Sequence, residues 1–165
     1  MFSMNSIFKT FTIITMISLI LLLIVTQNSN DFKNNPLSND IVSKIEQKNY
    51  TLKQTIKNRY NIDIDIPIII SNKVNDNLFG MATYSDGKIK VLLNKNRFQE
   101  NENYMIDYVL PHEYAHALMF YVKDFTKQNG GHTKKWEQIC LNIGGLKCDR
   151  FVGHNDILME KLPFY

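Results

Sequence analysis

The chain has 165 residues, of which 44% are hydrophobic, enough for one small domain with a modest core and an appended segment. Its formal net charge of +3 is mild, and its lysines are scattered among Asp and Asn residues. The basic stripe typical of nucleic-acid binding is therefore missing, and charge alone identifies no partner.

Residues 1–26 form an apolar N-terminal segment. The run from Thr10 to Thr26 has no charged residue, and Lys9 stands just before it. No polar face interrupts the run, which argues against a buried core helix. It is at the short end for a membrane-spanning helix, but it is long for the apolar region of a signal peptide, and no A-x-A-like cleavage site follows it. We predict a single retained membrane span, with cleavage and secretion as the alternative.

The basic residues beside the span predict its orientation. The amino terminus and Lys9 precede the span, and Lys33 lies close behind it. This distribution favours a cytoplasmic N-terminus and an extracytoplasmic domain. Residues 27–38 are rich in Asn, Ser and Asp, have almost nothing to bury, and are predicted to be a polar tether.

The first part of the predicted domain, residues 39–165, combines a helix with short strands. Apolar residues recur at helical spacing from Ile41 to Tyr60, and Ser38, Asn39 and Asp40 are available as caps. The β-branched run "IDIPIIIS" predicts a strand that begins near Ile66. The stretch "GMATYSDGKIKVLLN" predicts a hairpin that turns at "SDG", with a partly exposed edge along its second arm.

The second part of the domain is helical. Residues 101–125 have a helical pattern, in which Pro111 must start the second segment or kink the helix because it has no N–H to donate. Trp136, Ile139, Cys140 and Ile143 mark a short helix that ends with Gly144 as its C-terminal cap. The expected fold class is α+β, with a small antiparallel sheet.

The sequence "PHEYAHALMF" places His112 and His116 four residues apart with Glu113 directly after the first. On a helix, two imidazoles at this spacing project from one face and can bind one zinc ion. Glu113 would lie beside the metal, where it can take a proton from water and pass it to a leaving amine. The alternative is a helix that carries two histidines and no metal.

A catalytic zinc site needs a third protein ligand and an open fourth position. Two downstream residues could supply the ligand. His132 lies in "GGHTKKW", where the two glycines allow the chain to turn sharply toward the metal site and a helix follows. Glu137 lies 21 residues after His116, close to the spacing of the thermolysin-like gluzincins.

The chain from Gly80 to Gly145 resembles the SprT-like metallopeptidase family, which includes the Spartan proteases. Three matching pieces stand in the family's order: "GMATYSDGKIKVLLNKN", "IDYVLPHEYAHALMFY" and "GGHTKKWEQICLNIGG". The family pattern is V-x-P-H-E-x-x-H-A followed by G-H-x-x-x-W. The resemblance implies a minimal zincin-type domain that hydrolyses peptide bonds, with Zn²⁺ bound by His112, His116 and His132 and with Glu113 as general base.

The resemblance also marks departures from the family. Many members carry a zinc ribbon of two CxxC pairs, whereas this chain has only Cys140 and Cys148. If the domain is exported, these two cysteines could form a disulfide, and otherwise they are free. An N-terminal span is unexpected for a family that acts on DNA-bound proteins, so a nucleic-acid partner stays open.

The sequence leaves several functional assignments open. The expected partner is a protein or peptide substrate, which could add to the hairpin edge near Lys88 to Leu93. Tyr84, Tyr108 and Tyr114 are candidate oxyanion donors, although packing is the more common role of such residues. His154 is expected to be solvated. The leading function is a membrane-tethered zinc metalloendopeptidase; the alternatives are a non-catalytic zinc-stabilised module and an intracellular protease that acts on DNA-bound proteins.

Overall fold

The computed structural model describes residues 4–125 and 127–149, which fall into two units that divide between Pro36 and Leu37. His154 lies outside the described residues. The first unit consists of helix α1 (Met4–Asn34), whose segment Ile7–Asn34 is long and apolar enough to cross a membrane. A signal sequence near an N-terminus would share that length and composition.

Helix α1 continues through residues 27–34 of the predicted tether. Gln27 donates a side-chain hydrogen bond of 3.3 Å to Asp31 one turn later, and the first proline after the span is Pro36. Polar composition alone does not end a helix, because Gln and Asn are tolerated on its exposed face.

The second unit begins with helix α2 (Asn39–Tyr60), which was predicted from its periodicity. Ser38 caps it, since its side chain accepts a hydrogen bond from the backbone N–H of Ile41. One face of the helix is buried, and it consists of Ile41, Ile45, Leu52 and Ile56.

The sheet has three strands: β1 (Ile68–Ser71), β2 (Gly80–Ser85) and β3 (Lys88–Asn94). The hairpin prediction is confirmed: β2 and β3 pair antiparallel around Asp86 and Gly87, which both have positive φ, as a tight two-residue turn requires. The prediction of an antiparallel sheet is wrong. Strand β1 pairs parallel to β3, and the order β1-β3-β2 makes the sheet mixed.

The central position of β3 also corrects the expected substrate edge. Residues Val91 to Asn94 pair with β1 on one side, while Lys88 to Leu93 pair with β2 on the other. This placement fully buries Val91 and Leu93, the most apolar inward positions of the hairpin. Val91 to Leu93 are therefore paired on both sides, and within the described residues no strand pairs with the outer side of β2.

Two short helices, α3 (Lys95–Glu100) and α4 (Glu102–Tyr104), lead from the sheet into a π-helical turn at Met105–Val109. Helix α5 (Leu110–Tyr121) follows without a break and has Pro111 in its first turn. Proline cannot donate to the helix, and its ring crowds the carbonyl four residues earlier. The residue four positions before Pro111 is Asp107, which lies within the π-helical turn. The segment with His112, Glu113 and His116 therefore begins a new helix, α5, after that turn.

The chain then forms a 3₁₀ turn (Gln128–Gly131) and helix α6 (Lys134–Asn142). Thr133 caps α6 by accepting from the N–H of Trp136, and Gly144 follows its end with φ of 95°. Cys140 and Cys148 form a disulfide. Gly145 packs against it, because a β carbon there would lie only 2.7 and 2.8 Å from the two sulfur atoms.

Candidate metal centre

Three imidazoles from two parts of the chain meet at one point. His112 and His116 project from successive turns of α5, and His132 follows the 3₁₀ turn that leads into α6. The Nε2 atom of His132 lies 3.1 Å from Nε2 of His112 and 3.1 Å from Nε2 of His116. The structure thus brings together the three histidines that the sequence predicted as ligands.

The arrangement of the nitrogens fits a shared cation better than hydrogen bonds between the rings. A neutral imidazole has one N–H, so the Nε2 of His132 cannot donate to both neighbours at once. Three nitrogens bound tetrahedrally at ~2.1 Å from one zinc ion would lie about 3.4 Å apart, close to the two observed separations. The nitrogens would have to move apart by only about 0.3 Å to bind an ion, which slight ring rotations allow.

Trp136 supports all three rings from α6. Its indole stacks on His116 with ring centroids 5.0 Å apart, and it meets His112 and His132 edge-on at 4.7 and 4.5 Å. The side chain of Trp136 is buried. A rigid aromatic in contact with every imidazole restricts their rotation and helps to hold the three nitrogens together.

The environment keeps two of the histidines neutral. Burial, with smaller contributions from the neighbouring imidazoles, lowers the pKa of His112 from 6.5 to about 3. Burial and His132 lower the pKa of His116 to about 4. A histidine must be unprotonated to bind a metal, so both rings are in the ligand form at neutral pH.

Glu113 points from α5 toward the outer edge of β2. In an antiparallel pair, alternate residues direct their backbone groups away from the partner strand. Because Asn94 donates to the carbonyl of Phe79, the register makes Gly80, Ala82 and Tyr84 the residues that face outward. The N–H of Ala82 donates to the Glu113 carboxyl.

The carboxyl of Glu113 is buried, and burial raises its pKa from 4.5 to about 8, against the opposing effect of the Ala82 hydrogen bond. A metal dication beside it would favour the carboxylate. Sequence reasoning missed Gly80 and Ala82, which border this side chain. The available signal was a glycine at the start of a strand, which often marks a close approach.

The other candidates lie elsewhere. Glu137, the alternative third ligand, is exposed in the first turn of α6, and no carboxylate joins the three-histidine group within residues 4–125 and 127–149. Tyr114 is fully buried and donates to Asn49, and Tyr108 stacks on Tyr104. These two tyrosines therefore pack the domain. Tyr84 remains on the surface, on β2.

A comparison with models of protein families matched the one described as the SprT-like family over residues 45–155, two thirds of the chain. The chain belongs to the SprT-like family. The match covers α2 from Ile45 onward, the sheet and all three histidines of this SprT-like protein, and the predicted family is confirmed. Searches of curated proteins and of solved structures gave no match.

Proposed function

We propose that this SprT-like protein is a zinc-dependent metalloendopeptidase. The observation that supports this proposal is that three imidazoles converge, and that two of them share helix α5 with the buried carboxyl of Glu113. A structural zinc site is normally closed by four protein ligands. Among the described residues the cluster offers three, which leaves a position for a substrate.

His112, His116 and His132 would hold the metal. When bound, zinc supplies Lewis acidity, which polarises a carbonyl and makes water more acidic. Glu113 is the acid–base group of the chain: its carboxylate accepts a proton from the attacking water and returns that proton to the amide nitrogen that leaves. The Ala82 N–H orients the carboxylate oxygens for both transfers.

The proposed substrate is a protein or peptide in extended form. Gly80, Ala82 and Tyr84 face the outer edge of β2, which no other described strand joins, and the Ala82 N–H on this edge is held by Glu113. Backbone pairing with such an edge aligns a peptide largely independently of its side chains. A substrate bound there would pass the metal centre with its amide bonds presented to the carboxyl.

We also propose that the catalytic domain is membrane-tethered and extracytoplasmic. The apolar helix α1 supports the tether, and the lysine distribution around it supports the orientation. The Cys140–Cys148 disulfide supports export, because disulfides persist in oxidising compartments and are rare in the cytosol.

The decisive test is Glu113→Gln in the full chain. This change keeps the size and hydrogen-bonding reach of the side chain but removes proton transfer. With both proteins loaded to the same zinc content, cleavage of an unstructured protein should fall by ~10² to 10⁴. His112→Ala should lose zinc and activity together. Equal cleavage rates for the parent and Glu113→Gln would show that another site or a contaminant is responsible, and the peptidase proposal would fall.

A further inference from the structure

A half-open cavity lies directly beside the metal centre. Its volume is about 360 Å³, at the small end of the range for ligand sites, ~300 to 1,000 Å³. One wall is α5, with His116, Met119 and Phe120, and the other is the following connection, which includes Phe125 and Gly131. The cavity thus lies between one proposed metal ligand and the residue that precedes another, His132.

The cavity continues outward into an aromatic cluster. Phe120 and Phe125 stack with their centroids 6.0 Å apart, and Tyr84 lies 6.3 and 5.2 Å from them. Phe125 and Tyr84 are 49% and 47% exposed. Large aromatic side chains left this exposed beside a cavity commonly mark a binding surface. Tyr84 also belongs to the outer edge of β2, so the cluster joins that edge to the cavity.

The charges at the rim do not favour a charged occupant. Asp124 lines the cavity, but its carboxylate forms a 3.0 Å ion pair with Lys135 of α6. Lys127 also lines it and offers one positive charge. Apart from the His116 imidazole, the remaining side-chain walls are the thioether of Met119 and the phenyl rings of Phe120 and Phe125. An apolar occupant packed against them is stabilised by removal of its surface from water.

We propose that this cavity binds one aliphatic or aromatic side chain of the substrate, next to the bond that is cleaved. The inference rests on the proposed peptidase function and adds a preference to it. A peptide that lies along β2 and presents an amide to the metal centre must place a neighbouring side chain near His116. The space beside His116, with its thioether and phenyl walls, suits a leucine or phenylalanine side chain.

The preference can be measured as binding, separately from catalysis. The full-length Glu113→Gln chain, zinc-loaded in phosphatidylcholine nanodiscs, is titrated with acetylated and amidated Gly-Ser heptapeptides. Their central residue is Phe, Leu, Gly or Asp. The Phe and Leu peptides should bind at least about tenfold tighter than the Gly peptide, because a buried apolar side chain adds that much. Empty nanodiscs give the background.

Phe125→Ala should reduce the Phe-to-Gly affinity ratio several-fold, and because Phe125 is half exposed, the fold should tolerate the change. The matched control is Tyr121→Ala, which removes an aromatic that is 46% exposed at the end of α5 but does not line the cavity. It should leave the ratio unchanged. Equal affinities for all four peptides, no binding of any peptide, or equal effects of the two variants would overturn the proposal.

A cleavage map separates this inference from the proposed function. Wild-type cuts in an unfolded protein, located by mass spectrometry, should have an apolar residue on one side of the bond more often than the composition of that protein predicts. Glu113-dependent cuts without such enrichment would overturn the cavity proposal and leave the peptidase standing. Selective binding without any cleavage would support the cavity as a peptide site and overturn the enzymatic assignment.

Discussion

The backbone of Gly80 lies directly against the side chain of Glu113. A β carbon built at Gly80 would lie 3.0 Å from Cγ of Glu113 and 3.0 Å from the carbonyl oxygen of Leu92. The backbone conformation does not require glycine, because Gly80 is not among the residues with positive φ. Space requires it, since the strand must approach the carboxyl closely enough for the Ala82 N–H to donate to it.

Gly80→Ala should therefore displace the proposed general base. The added methyl group has backbone on one side and Glu113 on the other, so overpacking should lower the free energy of unfolding by about 1 to 3 kcal/mol. Misplacing a catalytic group by a fraction of its working distance should lower kcat by ~10- to 100-fold. Zinc content should not change. Kinetics and metal analysis of the purified variant would check all three.

Gly87→Ala is the matched control for that change. Gly87 has φ of 74° and open space around its missing side chain. Alanine there should cost about 1 to 2 kcal/mol of stability through the left-handed conformation, with kcat unaffected. If Gly80→Ala were as active as the parent at equal zinc content, the role assigned to this contact would be wrong.

Metal analysis distinguishes the two candidate third ligands. The parent chain should hold about one zinc ion, from its three converged imidazoles. His132→Ala should lose most of it, because two histidines cannot fix the geometry, whereas Glu137→Ala should keep it, because Glu137 is exposed outside the cluster. The reverse result would assign the site to the gluzincin type.

The metal-free protein should be most stable near pH 6.5. His112 and His116 have lowered pKa values in the folded state, so they bind protons mainly when the chain unfolds, and stability falls as the pH drops below 6.5 toward 4 and 3. Glu113 has a raised pKa, so unfolding releases its proton, and stability falls as the pH rises from 4.5 through 8.

At pH 6.5, unfolding lets each of the two histidines take up about half a proton, and it makes Glu113 release about one. The net proton uptake on unfolding is therefore close to zero, so the free energy of unfolding does not change with pH at this point. Chemical denaturation of the chelated protein between pH 4 and 9 measures this profile. In Glu113→Gln, the free energy of unfolding should no longer fall between pH 6.5 and 8. A decline of the same size in that variant would mean that another group causes it.

Reduction should destabilise the domain. The Cys140–Cys148 bridge closes a short loop, with a sequence separation of 8 residues. Closing a loop of that length lowers the entropy of the unfolded chain and so raises the free energy of unfolding by about 2 to 3 kcal/mol. Dithiothreitol should thus lower the Tm of the parent by several degrees. The double variant Cys140→Ala, Cys148→Ala should melt at the lower temperature with or without the reductant. A parent Tm that ignores the reductant would indicate that the thiols are free.

A reporter fused after Tyr165 should be active only on the extracytoplasmic side. The expectation follows from Lys9 and the amino terminus before the span. Two reporters are compared in separate fusions: an enzyme that folds only in oxidising conditions and an enzyme that works only in the cytoplasm. Activity of the cytoplasmic reporter would place the protease inside the cell and leave the disulfide without a compartment that maintains it.

Local signals in the sequence predicted much of the fold. The turn at Asp86 and Gly87 and a cap among Ser38, Asn39 and Asp40 each depend on a few adjacent residues, and both predictions are confirmed. The end of α6 was predicted one residue late, because its C-cap is Ile143 and Gly144 follows with positive φ. The histidines could be predicted as a group because His112 and His116 share a helix face and the family resemblance selected His132 over Glu137.

Long-range pairing could not be predicted in the same way. The alternation of Ile89, Val91 and Leu93 indicates a strand with a buried face, but it carries no information about which strands lie beside it. The parallel pairing of β1 with β3 joins residues far apart in the chain, such as Ile68 and Val91. The contact between Gly80 and Glu113 likewise joins residues that are far apart in the chain, so no local pattern encodes it.

The positions of the functional residues along the chain also set an order in time during synthesis. Among the elements that form the site, strand β2, which contacts the carboxyl, is synthesised first. His112, Glu113 and His116 follow, and His132 and Trp136 come last. At ~5 to 20 residues per second, the ribosome needs about 1 to 4 s to extend the chain from His116 to Trp136. Throughout that interval the carboxyl exists beside an incomplete ligand set. If the chain is the proposed peptidase, its ligand set is therefore complete only after the sheet and helix α5 have been synthesised.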